Sequence, residues 1–367
     1  MIVLVVIAGA LIAFVNGQND VGKGIATLVG SGVTNYRRAI VWGAIWTGIG
    51  ALAGSLIAGA MLATFGKGLL GAGVTPTFAT ALAVVFGAAA WVLIATRTGL
   101  PVSTTHAIIG ALTGVALVAF GMTGVRWDAI EHKLLVPLLV GPFIALAATA
   151  ALLRIARWHG GIADCACVVA PAPRLVSLGG GGIGRLALSP PTLMVASSAA
   201  CAAQPVAARV TMDHLHWATS GAASFARGLN DAPKIVALIL AGAALTGSGI
   251  APASWFAIVT AAMVAGSLWG GLHVTRVLAE NVTRMDHREG FVANLVTALL
   301  VGLGAWQGLP LSTTHVSTGA IIGAGTTRAS AIDWRTVRGM ALAWVVTIPL
   351  AAGLAITTYG LLVTVGV

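Results

Sequence analysis

Apolar runs alternate with short polar or glycine- and proline-containing segments along most of the chain. A straight membrane span needs about 20 apolar residues, and several of these runs are shorter. Irregular backbone at membrane depth persists only where protein buries it or where it lines a cavity. The pattern predicts an all-α polytopic membrane protein with broken helices, in roughly 10–12 membrane segments. The runs lie near residues 1–15, 39–62, 78–96, 107–121, 134–153, 214–226, 235–246, 254–272, 291–306 and 337–365.

The composition supports a membrane protein. Of 367 residues, 58% are hydrophobic and 8% are charged, whereas a soluble domain carries about 25% charge. The net charge is +10, but the basic residues lie mostly between apolar runs. They are not clustered as on a nucleic-acid-binding face. We therefore expect a lipid bilayer and no nucleic acid as partner. Residues 1–15 have no basic region before them, which predicts a first membrane segment rather than a cleaved signal.

A segment rich in turn residues separates two halves. Residues 158–210 have the prolines and glycines of an extramembrane linker, and the apolar stretch 192–203 is too short to span a bilayer. This predicts membrane repeats at 1–157 and 211–367, which together form one transporter domain. The turn residues are Pro171, Pro173, Gly179–Gly182 and Pro190-Pro191.

The three cysteines allow at most one intramolecular disulfide, so the chain is not a disulfide scaffold. They are Cys165, Cys167 and Cys201. The Cys-Ala-Cys segment could bind a metal ion, but no His or Cys lies close to it in sequence. We expect no metal site and no cofactor other than a coupling ion.

Three matches in the same order relate the halves. Gly17–Lys23 is similar to Gly228–Lys234, with the Asn-Asp pair 211 positions later, and Gly99–His106 is similar to Gly308–His315, 209 positions later. A tryptophan and a proline recur together 207 positions apart. A shared Leu-Pro-x-Ser-Thr-Thr-His within this order indicates an internal duplication.

The first match places ionisable residues within apolar sequence: Asp20 with Lys23, and Asp231 with Lys234. Each costs about 2.5–3.5 kcal/mol at a membrane helix centre, so these residues must pair, face water or bind ions. Local ion pairs at i and i+3 are one explanation. The neighbouring Asn19 and Asn230 add hard oxygen ligands, which favours binding of a small cation or a proton. We take Asp20 and Asp231 as the coupling residues.

The second match predicts two helix starts that bind an anion. Proline ends each preceding run, and Ser and Thr are strong N-cap residues. A helix N-terminus offers free N–H donors and a positive dipole end. Two copies facing each other would surround a tetrahedral oxyanion, although ordinary capping explains either copy alone. The candidate phosphate ligands are Ser103, Thr104, Thr105, Ser312, Thr313, Thr314, Asn19 and Asn230.

Further polar residues are candidate accessories to this site. His106 and His315 either donate to the anion or make structural bonds to the backbone. Arg227, where the first half has Asn16, either supplies a fixed guanidinium to the oxyanion, pairs with Asp231, or reaches the interface. Lys23 and Lys234 complete the accessory set.

The duplicated Gly-x-Asn-Asp and Leu-Pro-x-Ser-Thr-Thr-His elements resemble the PiT family of inorganic phosphate transporters. The resemblance implies an inverted-topology repeat with re-entrant hairpins and cation-coupled phosphate uptake, by H⁺ or Na⁺ symport, through the cytoplasmic membrane. It also implies a homodimer. Many members have a second Asn where Lys23 stands, and membrane glutamates where Thr47 and Asn294 stand. These differences favour a proton over sodium, or a different anion.

The leading hypothesis is a secondary transporter for phosphate that works by alternating access. The same fold serving sulfate or another tetrahedral oxyanion is the close alternative. A passive channel is a further one. An intramembrane hydrolase using Ser103 or Ser312 lacks a third catalytic group, so we expect no enzyme activity.

Overall fold

The computed structural model describes residues 1–57, 59–158, 163–170, 174–176, 185–187, 190–247, 249–327 and 332–367. Membrane helices are followed by a small β-containing linker and then by further membrane helices. The helices are α1 Ile2–Asp20, α2 Gly22–Gly30, α3 Tyr36–Ile57, α4 Gly59–Ala63, α5 Phe78–Arg97, α6 Thr104–Phe120, α7 Trp127–Ile130, α8 Val136–Trp158, α9 Ser198–Ala202, α10 Met212–Ala244, α11 Pro252–Gly270, α12 Leu272–Glu280, α13 His287–Trp306, α14 Thr313–Gly325 and α15 Trp334–Thr364. The strands are β1 Cys165–Val169, β2 Arg174–Val176, β3 Arg185–Ala187, β4 Thr192–Ala196 and β5 Val206–Thr211.

Within the described ranges, seven helical segments are long and apolar enough to cross a membrane. α1 and α2 act as one such segment, since only Val21 separates them. The predicted polytopic helical fold is therefore confirmed. The seven segments are Ile2–Gly30, Tyr36–Ile57, Phe78–Arg97, Val136–Ala156, Pro252–Gly270, His287–Trp306 and Trp334–Thr364.

α5 and α6 form a hairpin that turns inside the bundle. At the end of α5, Gly99 has φ +75° and Leu100 N–H donates to Ala95 O at 2.8 Å, which is the glycine-dependent Schellman closure of a helix. Three residues without regular secondary structure follow, and Ser103 then caps α6, its Oγ accepting from His106 N at 3.2 Å. The tip therefore combines a helix end with a helix start.

α13 and α14 repeat this construction. Gly308 has φ +71°, Leu309 N–H donates to Gly304 O at 2.8 Å, and the Ser312 hydroxyl caps α14 by accepting from His315 N at 3.3 Å. The identical Gly-Leu-Pro and Ser-Thr-Thr-His pieces thus fold identically. The helix starts predicted at both Ser-Thr-Thr triplets are present.

The two hairpins enter the bundle from opposite ends. The continuous helix α10 crosses the bundle, and Asp213 near its start contacts His287 at the base of the second hairpin. Near its other end, Leu238 lines a cavity together with Phe120 at the base of the first hairpin. Opposite entry is the geometry of an inverted repeat. Each hairpin packs on the other half's helix: Gly110 of α6 lies against Ile348 of α15, and Gly319 of α14 lies against Pro142 of α8.

The two Asn-Asp elements differ in their helices. In the first half, α1 ends at Asp20 and α2 begins at Gly22, where an added Cβ would come within 2.9 Å of Thr275 Cα. In the second half, Asn230 and Asp231 lie inside α10, which continues through Pro233. The first element therefore lies where α1 and α2 meet at Val21, whose backbone stays helical with φ −59° and ψ −36°, and the second lies in a proline-containing helix.

The linker is a small β unit, which the sequence did not predict. β1 lies between β4 and β5 in an antiparallel sheet, and β2 pairs with β3. The apolar stretch 192–203 forms β4 and α9, consistent with its being too short to span. Pro171, Pro173 and Gly179–Gly182 lie outside the described residues, and the predicted division at 157 and 211 stays a prediction.

Candidate functional site

The two Asn-Asp elements meet at the centre of the bundle. The Asn16 amide donates to Asp20 Oδ2 at 3.2 Å and to Asp231 Oδ2 at 3.4 Å, so one side chain joins the carboxylates of the two halves. All three side chains are buried. A buried carboxylate is stable only when it is paired and hydrogen-bonded, and this cluster supplies those bonds.

Lys23 is held in a cage of oxygen atoms. Its ammonium pairs with Asp20, donates to the backbone carbonyl of Val102 at 3.0 Å, and lies 3.4 Å from Asn19 Oδ1. The Asn19 amide donates in turn to Leu100 O at 3.0 Å. The lysine therefore connects the α1–α2 segment of its own half to the tip of the first hairpin.

Lys234 occupies the equivalent cage in the second half. Its ammonium lies 3.3 Å from Asp231 Oδ1, 3.1 Å from Leu311 O and 2.9 Å from Thr105 Oγ1. The Asn230 amide donates to Leu311 O at 2.9 Å. The carbonyl of Leu311 thus corresponds to that of Val102. The bond to Thr105 also crosses from the second half to the first hairpin.

Three further hydroxyls lie at the same centre. Thr313 Oγ1 lies 3.4 Å from Asp20 Oδ2, and Thr314 donates to Val102 O at 2.8 Å, so the second hairpin reaches the first half's site. Thr104 accepts from Asn16 at 3.1 Å. The hydroxyls of Ser103 and Ser312 cap their helices instead. Of the six predicted hydroxyls, those of Thr105, Thr313 and Thr314 therefore contact the other half. That of Thr104 contacts Asn16 of its own half, and the remaining two are caps.

Arg227 is a buried guanidinium beside the aspartates. Its Nε and Nη2 donate to Thr47 Oγ1 at 3.3 and 2.9 Å. The described part of the chain offers no acceptor to its Nη1 and no carboxylate oxygen within 4.0 Å of it. The predicted pairing with Asp231 is therefore not formed in this conformation. A buried cation with an unused donor is suited to an oxyanion.

The histidines stack between the hairpins. The rings of His106 and His315 have centroids 4.6 Å apart, and His315 also packs on Trp344 at 3.9 Å. Trp344 donates to Pro101 O at 3.2 Å. His315 Nδ1 bonds to Ser312 Oγ at 2.6 Å. His106 Nδ1 has no hydrogen-bond partner among the described residues. The ring contacts link the two hairpins and the helix α15, and the role of both histidines in anion binding stays a prediction.

The formal charge of the cluster favours an anion. Three cations, Lys23, Lys234 and Arg227, face two carboxylates, Asp20 and Asp231. With all five groups ionised the site carries a net charge of +1. Every one of these side chains is buried, so water screens this charge little.

Comparison with known proteins assigns the chain to a family. A family model described as "Phosphate transporter family" matches residues 16–355, which include every site residue above. The chain belongs to the phosphate transporter family. It is a membrane protein that transports phosphate, and it is not an enzyme.

Individual relatives agree with this assignment. A Mycobacterium bovis protein named "Probable low-affinity inorganic phosphate transporter" is 28% identical over 375 residues, covering 100% of this chain and 78% of the relative. A Rhizobium meliloti protein of the same name is 29% identical over 345 residues, covering 92% and 90%. A solved structure titled "The sodium-dependent phosphate transporter" aligns with a TM-score of 0.80 over 99% of both chains at 21% identity. At that identity the likeness concerns the fold.

Several groups at the centre carry little signal in the sequence. In the sequence, Asn16 is the counterpart of Arg227 and Thr47 is a departure from the PiT pattern, and in the structure both contact site residues directly. The carbonyls of Val102 and Leu311 were not predicted because no side chain marks them. Asn16 had one usable signal, since an amide inside an apolar run needs partners.

Proposed function

We propose that this phosphate transporter couples phosphate movement to protons, and that the two buried lysines take the place of a sodium ion. The observation that carries the proposal is the pair of oxygen cages. Carboxylate, carbonyl, hydroxyl and amide oxygens surround Lys23 and Lys234. Such oxygens are the ligands of a hard cation, and here an ammonium fills each position. The solved structure titled "The sodium-dependent phosphate transporter" shares the fold. The coupling ion of this chain is therefore inferred from the chain's own residues.

The net charge of the site also favours a proton as the coupling ion. A site of net charge +1 that receives one HPO₄²⁻ dianion reaches −1, and one proton returns it to zero. A buried site is most stable when its charge is balanced. The carboxylates of Asp20 and Asp231 are the groups that would take that proton. The Asn16 amide donates to both of them and so connects each carboxylate to the other half of the chain.

The anion is proposed to bind between the hairpin tips. Arg227 Nη1 would donate to one phosphate oxygen, and the hydroxyls of Thr104, Thr105, Thr313 and Thr314 to others. In this structure the hydroxyls of Thr105, Thr313 and Thr314 bond to the opposite half, and that of Thr104 bonds to Asn16 of its own half, so the described conformation is closed. Release of these bonds on one side at a time would give alternating access, with each hairpin and its supporting helix moving against the other half.

The linker end of the bundle is proposed to face the cytoplasm, in the cytoplasmic membrane. Among the described residues, eight arginines lie in segments that adjoin the linker, the start of α10 or one another, whereas Arg126 lies at the other end, where its backbone N–H donates to Leu69 O. Basic residues concentrate on the cytoplasmic side of membrane proteins. The homodimer stays a prediction. The eight are Arg37, Arg38, Arg154, Arg276, Arg284, Arg288, Arg335 and Arg338.

Labelled phosphate uptake into proteoliposomes tests the coupling. An inwardly directed proton gradient should drive accumulation without sodium, and an inward sodium gradient at equal pH on both sides should add nothing. Uptake that requires sodium would contradict the proposal. Flux that follows neither gradient would indicate a channel. Excess sulfate should compete poorly, and equal competition would indicate a general oxyanion site.

A further inference from the structure

The buried core of the linker consists of three cysteine side chains. Cys165 and Cys167 are two residues apart on β1 and so lie on one face of the sheet, and Cys201 reaches the same point from α9. All three are buried, and their Sγ atoms lie within 4.8 Å of one another. The structure joins Cys167 to Cys201 by a disulfide and leaves Cys165 as a free thiol.

Among the described residues, few apolar side chains pack with these cysteines. The described residues that pack against the three cysteines are the partly buried Val169, Met194 and Val206. A domain this small cannot bury enough apolar surface and usually depends on disulfides or a metal ion. The cellular compartment decides between a disulfide and a metal ion. Cytoplasmic reductants keep thiols reduced, which favours a metal ion there.

The proposed orientation places the linker in the cytoplasm, and the following inference rests on that part of the proposed function. We propose that the three cysteines form a binding site for a thiophilic d¹⁰ metal ion, Cu⁺ or Zn²⁺, when the Cys167–Cys201 bond is reduced. Thiolates are the ligands that these ions select. Cys165 and Cys167 have no partner close to them in sequence, and the fold brings Cys201 to them.

The chemistry balances with a cellular dithiol as reductant. The dithiol gives two electrons and two protons to the Cys167–Cys201 bond, becomes a disulfide itself, and leaves two cysteine thiols. These two and Cys165 then release three protons as they bind the ion. Thiolates around zinc at about 2.3 Å lie about 3.8 Å apart in tetrahedral geometry, so small side-chain rotations suffice. Cu⁺ is satisfied by three sulfurs, whereas Zn²⁺ would take a water as fourth ligand.

Metal loading of the full-length protein tests this site. Protein purified without oxygen in a non-thiol reductant is loaded with Zn²⁺ or with Cu⁺, desalted, and analysed by mass spectrometry for metal. We expect about one ion per chain in the wild type, and background in Cys201→Ser. Cys165→Ser is the decisive variant, because it keeps both disulfide partners but should also fall to background. His132→Ala, an exposed histidine at the other end, is the control and should keep its metal.

In the loading assay, two results would overturn the site: background levels of both ions in the reduced wild type, or unchanged metal in Cys165→Ser. Protein oxidised beforehand to form the disulfide should load no metal. Unchanged phosphate uptake by the variants would show that they fold. A Leu193→Cys probe on the exposed face of β4 should react with an impermeant maleimide only in inverted vesicles. Reaction in intact cells would refute both the orientation and the metal site, while the proton coupling would remain to be judged by the uptake assay.

Discussion

Replacement of Arg227 by glutamine is the sharpest test of the anion site. The guanidinium is buried and its Nη1 has no acceptor among the described residues, whereas Nε and Nη2 are used by Thr47. A hydrogen bond to a charged partner contributes about 1.5–3 kcal/mol. At about 1.4 kcal/mol per tenfold, Arg227→Gln should raise the phosphate concentration for half-maximal uptake about 10- to 150-fold. The variant should still fold, because the two aspartates keep their two lysines.

The assay is labelled phosphate uptake into proteoliposomes over a range of phosphate concentrations. Arg227→Lys keeps the charge but loses the planar fork, and it should fall between wild type and Arg227→Gln. Arg38→Gln removes an exposed arginine and should leave the phosphate concentration for half-maximal uptake unchanged. A half-saturation value for Arg227→Gln equal to that of the wild type would refute the placement of phosphate beside this guanidinium.

Three further predictions concern the rest of the centre. Asp20→Asn and Asp231→Asn should each abolish proton-driven uptake. The protein should still insert, as judged by its elution from a sizing column. Uptake at wild-type rates in both variants would show that the carboxylates take no part in the mechanism. Lys23→Asn with Lys234→Asn opens both oxygen cages, so sodium should now stimulate uptake, and continued indifference to sodium would contradict the cation-substitution proposal. Gly228→Val should lower the thermal stability of the detergent-solubilised protein, because a Cβ at this position would meet the backbone nitrogen of Ala51 at 2.8 Å, and overpacking costs about 1–3 kcal/mol.

The sequence predicted those parts of the fold that depend on local rules. Two helix starts followed from Ser103 and Ser312 because capping is a local preference, and the end of each preceding apolar run followed from its proline. The linker strands could not be predicted, because β1 is stabilised by pairing with segments some 25 to 45 residues away. Short strands without strong alternation carry no distinctive signal.

The site was predicted in its residues but not in its connections. Duplication identified Asp20 and Asp231, but it could not show that Asn16 joins them, since that contact spans 215 residues. The pairing of Lys23 with its own aspartate followed from the i,i+3 spacing. The bond of Lys234 to Thr105 did not, because it depends on how the second half packs against the first hairpin.

The difference between the halves explains how a duplicated fold holds one anion. A symmetric site would have the same residue at the positions of Asn16 and Arg227. Two arginines there would give a net charge of +2, which matches a dianion without any proton, and two asparagines would give no net charge to attract one. The chain has one of each, with the amide joining the carboxylates and the guanidinium keeping a free donor. A transport site must bind strongly enough to load and weakly enough to release its substrate. A charge of +1, completed by a proton that leaves with the phosphate, satisfies both conditions.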